Sequence, residues 1–460
     1  MGNADRQPNA RLLAVIGEAG WTYDATARAV CRVAAENGER GLRTNASAVS
    51  HWVSGTRPAA STARFLAEAL SRKLRRPLRP TDLGLSAPSG LAANDEFLPS
   101  DPVAAIARLG KADLNRRTFL ARSVYAISAL ALPLTYRREI AERGAHVRGT
   151  TATIGDGEVS AVREITTAFT HADERLGGGH GRSAVVEYLS TDVAAYCSAM
   201  FARETDRRAM FGAAAELAYL AGWKAHDDGL AGLAQRYYLH SFQLADESDS
   251  GPHTGYILRI LAHQALELGR RDYCIDLADA ALDRARGRVD AETESLFWLT
   301  VARAQAASHS PRRAIAALSR AETLLDRASS DQGPHWASLG GPPEARLASH
   351  SGKALSSLGD LPAAENHFRR SAACWDPATH PRIHALTLAE LATVQCGQGK
   401  VDEACGTWSA ALDGMTGIQS ARTRDSIDTM RRHIAVFRGR GLVAARRLDA
   451  RAAALRAAGA

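Results

Sequence analysis

Lysine is scarce in this chain: of 57 basic side chains only five are lysine, and the rest are arginine. Together with abundant alanine, this reflects a GC-rich coding background and says little about function. The six cysteines, at 31, 197, 274, 374, 396 and 405, form no C-x-x-C pair. That spacing argues against a zinc site and a disulfide framework, and it fits a reducing cytoplasm. The 15 histidines are dispersed and make no H-E-x-x-H or comparable cluster. No glycine-rich phosphate cradle and no nucleophile–base arrangement is visible either, so neither an enzyme nor a metal or other cofactor is expected. Beyond residue 155 the period-two alternation of strands is missing, and the chain reads as helix after helix.

With 460 residues the chain has room for two or three domains, and its 45% apolar and 23% charged content is ordinary for a soluble protein. The distribution of charge is more informative than its sum. Residues 1–85 hold 13 Arg/Lys against 7 Asp/Glu, a net of +6 out of +7 for the whole chain. A basic excess confined to one small segment is the footprint of a nucleic-acid-binding domain, although a merely solvated basic surface has the same composition.

Within that segment, "NARLLAVIGEAG" predicts a short helix ending near Gly20. A second follows in "WTYDATARAVCRVAAENGER", capped by Thr22 or Asp24, with Ala27, Val30, Val33 and Ala34 on one face. In "RTNASAVSHWVSGTRPAASTARFLAEALSRKL", Thr44 or Asn45 caps a third helix whose apolar positions are Ala48, Val49, Trp52 and Val53. Gly55 ends it, Pro58 fixes the turn, and a fourth helix runs from about Ser61 to Leu74. Short polar residues at the start of the third helix suit entry into a major groove, where they can meet base edges. The DNA-contact candidates are Arg43, Thr44, Asn45, Ser47, Ala48, Ser50 and His51, with Arg57 placed to hold a phosphate. Trp52 could stack on a base, but four residues from Ala48 on the apolar face it belongs to the core. This stretch resembles the repressor-like helix-turn-helix family in its third helix and the turn after it, with a second helix longer than usual. The alternative is a helical bundle that contacts another protein.

The back half repeats. Positions 5, 9 and 12 after Gly229 are Ala234, Tyr238 and Ser241; after Gly269 they are Cys274, Ala278 and Ala281. His309 leads to Ala314, Leu318 and Ala321, Gly359 to Ala364, Phe368 and Ser371, and Gly399 to Ala404, Trp408 and Ala411. The anchors lie 40, 40, 50 and 40 residues apart, and weaker matches begin at Gly179 and Gly439. A small residue lets two helices approach, a large one fills the gap, and a second small one admits the next pair. The pattern is tetratricopeptide-like with lengthened first helices and predicts an α-solenoid over 155–460, whose concave face would grip a peptide, protein or small ligand. Trp223, Lys224 and His226 are groove candidates. So is Trp336, in the insertion "SSDQGPHWASLGGPPEA" that accounts for the 50-residue step; it either faces a ligand or caps a gap between repeats.

Between the two regions, residues 86–154 read as a linker. They include "NRRTFLARSVYAISALALPL" (115–134), which looks like a twin-arginine export signal. With 114 residues ahead of it, and an apolar run spanning only about 16 Å as helix, neither export nor a membrane is expected. Leu120, Val124, Ile127, Ala131 and Leu134 fall on one stripe of a connecting helix over 116–134, suited to docking on the repeats.

As a whole, "AELAYLAGWKAHDDGLAGLAQRYYLHSFQLA", "HQALELGRRDYCIDLADAAL" and the "RRTFL" segment behind a helix-turn-helix resemble the actinobacterial helix-turn-helix/tetratricopeptide regulators. These include negative regulators of Streptomyces differentiation and antibiotic production. The resemblance implies an all-α, cytoplasmic transcriptional regulator that binds double-stranded DNA and an unidentified effector. A homodimer is expected because one small DNA-binding head binds weakly. The competing expectation is a tetratricopeptide scaffold or adaptor whose N-terminal bundle makes protein contacts.

Overall fold

The computed structural model describes residues 7–85, 101–114 and 153–457, except Gly38, Arg40, Arg75, Pro77, Asp272, residues 329–332, Leu339 and Arg440. The apolar helix expected at 116–134 lies outside the described residues. Among those residues the chain is all-α save for one short parallel pairing, β1 (Thr153–Ile154) beside β2 (Met200–Phe201).

Four helices form the N-terminal bundle: α1 (Ala10–Glu18), α2 (Tyr23–Glu36), α3 (Ala46–Val53) and α4 (Ala60–Leu74). Each of the first three starts where a short polar side chain satisfies a free backbone N–H. Asn9 Oδ1 accepts from Leu12 N at 3.0 Å, Thr22 Oγ1 from Ala25 N at 3.1 Å and Asn45 Oδ1 from Ala48 N at 2.9 Å. Asn9 also ties the bundle together: its N–H donates to the carbonyl of Val53 at 2.7 Å and its amide Nδ2 to that of Leu83 at 2.8 Å. The core holds Leu12, Ile16, Val30, Val33, Val49, Trp52, Phe65 and Leu70, so Trp52 packs inside as its spacing predicts.

The stretch before the expected connecting helix differs from a plain linker. Asp101 caps α5 (Pro102–Leu114) by accepting from Val103 N and Ala104 N, and Pro102 occupies the first turn, where its missing N–H costs nothing. Ile106 and Leu109 join the main core of the repeats. Buried Asp113 takes Arg182 Nη1 at 2.7 Å and the hydroxyl of Tyr237 at 3.0 Å, so α5 belongs to the repeat body. One buried carboxylate among apolar residues gives little hint in sequence that a partner waits 69 positions on.

The repeat body opens with α6 (Asp156–Leu176), α7 (Arg182–Tyr188), a π-helical turn at Leu189–Val193 and α8 (Ala194–Cys197). Six antiparallel helix pairs follow. They are α9 (Glu204–Asp227) with α10 (Ala231–Glu247), α11 (Gly251–Glu267) with α12 (Cys274–Ala285), and α13 (Ala291–Ala307) with α14 (Pro311–Leu325). After a short helix α15 (His335–Ser338) come α16 (Pro343–Leu358) with α17 (Leu361–Cys374), α18 (Pro381–Gly397) with α19 (Val401–Met415), and α20 (Ala421–Gly439) with α21 (Val443–Ala457).

All five in-phase anchors sit in the tight turn inside a pair. Gly229, Gly269, Gly359 and Gly399 have φ between 67° and 87°, and His309 adopts φ 54° without the freedom of glycine. The small residues at +5 and +12 are buried in every one of these pairs. Where the +12 residue is serine, its hydroxyl donates to a carbonyl of the first helix: Ser241 to Ala215 at 2.7 Å and Ser371 to Ala345 at 2.9 Å. The weaker anchors shift. Gly439 ends α20 and the left-handed turn falls at Gly441, because α20 runs to 19 residues where α18 has 17. Near Gly179 the turns are at Gly177 and Gly181, and no regular pair forms.

The stack also meets itself. Gln419, between the fifth and sixth pairs, donates its N–H to the carbonyl of Leu176 at 2.9 Å and accepts from Gly179 N at 3.1 Å. Arg382 of α18 reaches Asp173 of α6 at 2.7 Å. The first helices of the pairs thus enclose their inner face.

Candidate functional site

Two places gather the residues that sequence reasoning singled out. The first is the outer edge of α3. Arg43, Asn45, Ser47, His51 and Arg57 are exposed there, while Thr44, Ala48 and Ser50 are half-buried and Val49, Trp52 and Val53 face inward. Ser47, His51 and Ser54 fall four and three residues apart and all are exposed, so Ser54 belongs to the same stripe although only Ser47 and His51 were candidates. Asn45 has a structural duty as well: its Oδ1 is occupied by the helix cap. The hydroxyl of Thr44 is buried without a partner, and its carbonyl receives the Cys31 thiol at 3.8 Å, so Thr44 is turned toward α2.

The second place is a cavity of about 200 Å³ on the inner face of the helix pairs. Its walls come mainly from the first helices: Tyr219, Trp223 and His226 of α9, His253, Tyr256, Arg259, His263 and Glu267 of α11, Arg303 of α13, and Arg346, His350 and Lys353 of α16. Positions recurring every three or four residues along α11 put one stripe of that helix on the cavity. A second cavity of about 470 Å³ shares Glu267, Arg303, Ser349, Lys353, Ile383 and Arg422 with the first, so the two adjoin.

Three of the four groove candidates meet here: Trp223, His226 and Trp336 line the cavity. Lys224 does not. One position beyond Trp223 its side chain leaves the helix about 100° away, and its Nζ is buried against Asp173 Oδ1 at 3.0 Å and the carbonyl of His180 at 2.9 Å. The insertion folds over the cavity through α15. His335 pairs with Glu216, and Trp336 stacks on His253 with centroids 5.3 Å apart and planes 5° from parallel. Tyr256 lies tilted against the same indole at 5.2 Å.

Among the groups that line the cavity, Asp173 and Glu267 are paired with cations, while two imidazoles sit among positive charges. Burial acts to raise the pKa of Asp173, but Arg382 and Lys224 outweigh it and hold the carboxyl below its usual value. Burial likewise opposes ionisation of Glu267, yet Arg422 and the His226 Nε2, 2.8 Å away, keep it well below the ordinary range. His350 is the reverse case. Burial first, then the positive charges of Arg303, Lys353, Arg259 and Arg346, push it well below an ordinary imidazole. His263 is driven the same way by burial and by Arg303, whose Nη1 lies 2.6 Å from its Nδ1. Both imidazoles are therefore neutral at pH 7.

None of α11 or α16 was singled out from sequence. Polar residues embedded in fully buried helices read as interruptions of a core, although the His253, Tyr256, His263 and Glu267 spacing was there to find. Among the described residues no group of His, Cys, Asp or Glu could hold a metal ion, and no helix is long and apolar enough to cross a membrane.

A family model described as the SP15 N-terminal domain matches residues 12–86, a span that coincides with the four-helix bundle and the turn after it. No curated protein and no solved structure matches the chain.

Proposed function

We propose that the protein is a DNA-binding regulator of transcription, of the kind that governs secondary metabolism or development, and that its helix pairs form the receptor for a regulatory molecule. One observation carries the reading. The third helix of a bundle with net charge +6 presents Ser47, His51 and the flanking Arg43 and Arg57 to solvent, while Trp52 anchors its back. Short hydroxyl and imidazole side chains can donate to and accept from base edges, and Arg57 at the following turn suits a phosphate. A homodimer would place two such heads on one duplex, and a molecule preferring one arrangement of the helix pairs would change their spacing.

The experiment is genome-wide mapping of DNA retained by the full chain, followed by titration of the bound fragments at several salt concentrations. The reading predicts a defined sequence, and an affinity that falls steeply with salt. Failure to retain DNA at low salt, with recovery of a defined protein partner instead, would replace it with the adaptor reading.

A further inference from the structure

Folded proteins rarely leave buried polar atoms unpaired, yet several on this one cavity wall are. Nε of Arg259, Nε of Arg346, Nδ1 of His350, Nε2 of His253 and Oε1 of Gln264, on α11 and α16, have no hydrogen-bond partner, nor do Oε2 of Glu174 and Oε1 of Glu216 on α6 and α9 or the Trp375 indole N–H. Arg259, His253 and Gln264 are more than nine-tenths buried. Around the cations of α11, α13 and α16 the carboxylates are few or engaged. Glu292 takes one nitrogen of Arg346 at 2.8 Å, Glu390 stands 3.9 Å from Lys353, and Glu267 is shared by His226 and Arg422. A buried positive charge without a counter-charge is costly. The lining holds five cations, Arg259, Arg303, Arg346, Lys353 and Arg422, against the four carboxylates of Asp173, Glu174, Glu216 and Glu267, so a cationic ligand would add to the excess and a neutral one would leave it.

Next to this excess stands an aromatic ladder. The guanidinium of Arg259 lies 4.4 Å from the centre of the Tyr256 ring, Tyr256 meets Trp336, and Trp336 lies flat on His253. We propose that the cavity is a binding site for a small organic anion with an aromatic body, its acid group held by Arg259, Arg303 and Arg346 and its ring by Tyr256 and Trp336. The proposal rests on the receptor half of the regulator reading and names the chemistry of its effector. An inner chamber of about 200 Å³ is smaller than the usual pocket of a drug-sized ligand and cannot take an extended peptide. The wider polar cavity adjoins it and shares Arg303 and Lys353.

The test uses the full chain without DNA and matched acid–amide pairs, indole-3-carboxylate with indole-3-carboxamide and benzoate with benzamide, alongside inorganic phosphate. Melting temperature and calorimetric titration are the readouts. At least one aromatic acid raises the melting temperature by several degrees while its amide does not. Arg259→Gln weakens that acid about tenfold or more, because a charge-assisted hydrogen bond is lost. The same variant, free of its ligand, melts no lower than the parent, since it removes a buried charge that has no counter-charge; a merely structural arginine would do the opposite. Arg303→Gln provides a second variant with the same expected loss of binding. Amides that bind as well as acids, phosphate that binds as well as the aromatic acids, no response to either acid, or undiminished binding by both variants would overturn the proposal. Because DNA is absent throughout, a failure of DNA binding measured separately bears on the regulator reading alone.

Discussion

Arg382 and Asp173 are 209 positions apart in sequence and 2.7 Å apart in the fold, each with a side chain 1% exposed. The same guanidinium holds Asp227 at 3.0 Å and Glu174 at 3.0 Å, while Asp173 also accepts from Lys224 and from the Trp223 indole at 3.1 Å. This network fastens α18 to α6 and α9, and so turns the inner face of the helix pairs into an enclosure. Two cations and three carboxylates share it, and the geometry of each pair is fixed by the others.

Removing one member should therefore be expensive. Arg382→Met strands Asp173 and Asp227 in the interior, and breaking a buried pair in this way costs about 3–5 kcal/mol. Urea denaturation of the full chain measures it; a loss below about 1 kcal/mol would show the network to be ornamental. The pH dependence has a definite sign. Asp173 ionises more readily folded than unfolded, so its contribution is complete above its unfolded pKa and fades as pH falls toward the lower folded value. Arg382→Met should accordingly lose the part of the acid sensitivity that lies below about pH 4.

Inside a pair, Tyr238 and Gly222 make a second test. A methyl group on Gly222 would sit 2.7 Å from the Tyr238 ring, so Gly222→Ala forces the helices apart at a cost of roughly 1–3 kcal/mol. Gly352 stands in the same relation to Phe368 three pairs later in the matched phase, at 3.0 Å. The Tyr238 hydroxyl, in contrast, is buried with no partner, so Tyr238→Phe should melt at the same temperature or higher. A clear fall in melting temperature for Tyr238→Phe would reveal a hydrogen bond the hydroxyl makes.

These pairs also show why some of the fold was legible in sequence. Gly229, Ala234, Tyr238 and Ser241 answer to local geometry, a turn and three contacts within one pair, so their spacing survives from pair to pair. The helices α1 to α4 were legible for the same reason, through Thr22, Asn45, Gly55 and the stripe ending in Trp52. What depends on closure was not. Nothing local marks Arg382 as the partner of Asp173, or Asp113 as the partner of Arg182 and Tyr237. The cavity was visible only at Trp223, His226 and Trp336, because aromatic residues near helix ends and insertions draw attention. Arg259, His263, Arg303 and His350 lie within buried helices whose two faces are both covered, so no polar stripe stands out against an apolar one.

His240 supplies a pH effect separate from the ion network. Burial, with Arg236 and Arg108 nearby and only the Gln243 amide oxygen 3.2 Å away as compensation, pulls its pKa down to about 4 from 6.5. Unfolded chains bind the proton first as the medium is acidified, so the protein loses stability as pH falls from about 6.5 to about 4. His240→Gln keeps a polar group beside Gln243 and removes the titration. The melting temperature of the variant should fall less between pH 7.5 and pH 5 than that of the parent; parallel curves would exclude this histidine as a source.

The edge of α3 allows stability and DNA binding to be separated. Asn45→Ala deletes the cap on Ala48 N and should cost about 1 kcal/mol, so weaker DNA binding by that variant alone would not identify a base contact. Arg57 and His51 are exposed and lie outside the bundle core. Arg57→Ala should leave the unfolding free energy within about 0.5 kcal/mol of the parent, yet weaken binding to all bound sequences and lower the salt slope by about 1. His51→Ala should instead cost about 1–3 kcal/mol on the preferred sequence and little on unrelated DNA, since an imidazole at a base edge reads sequence where a guanidinium at a phosphate does not. Anisotropy titrations of both variants across a salt series decide the matter. If both bind every fragment as the parent does, the exposed edge of α3 is not the DNA-reading surface, and the basic charge of the bundle serves another contact.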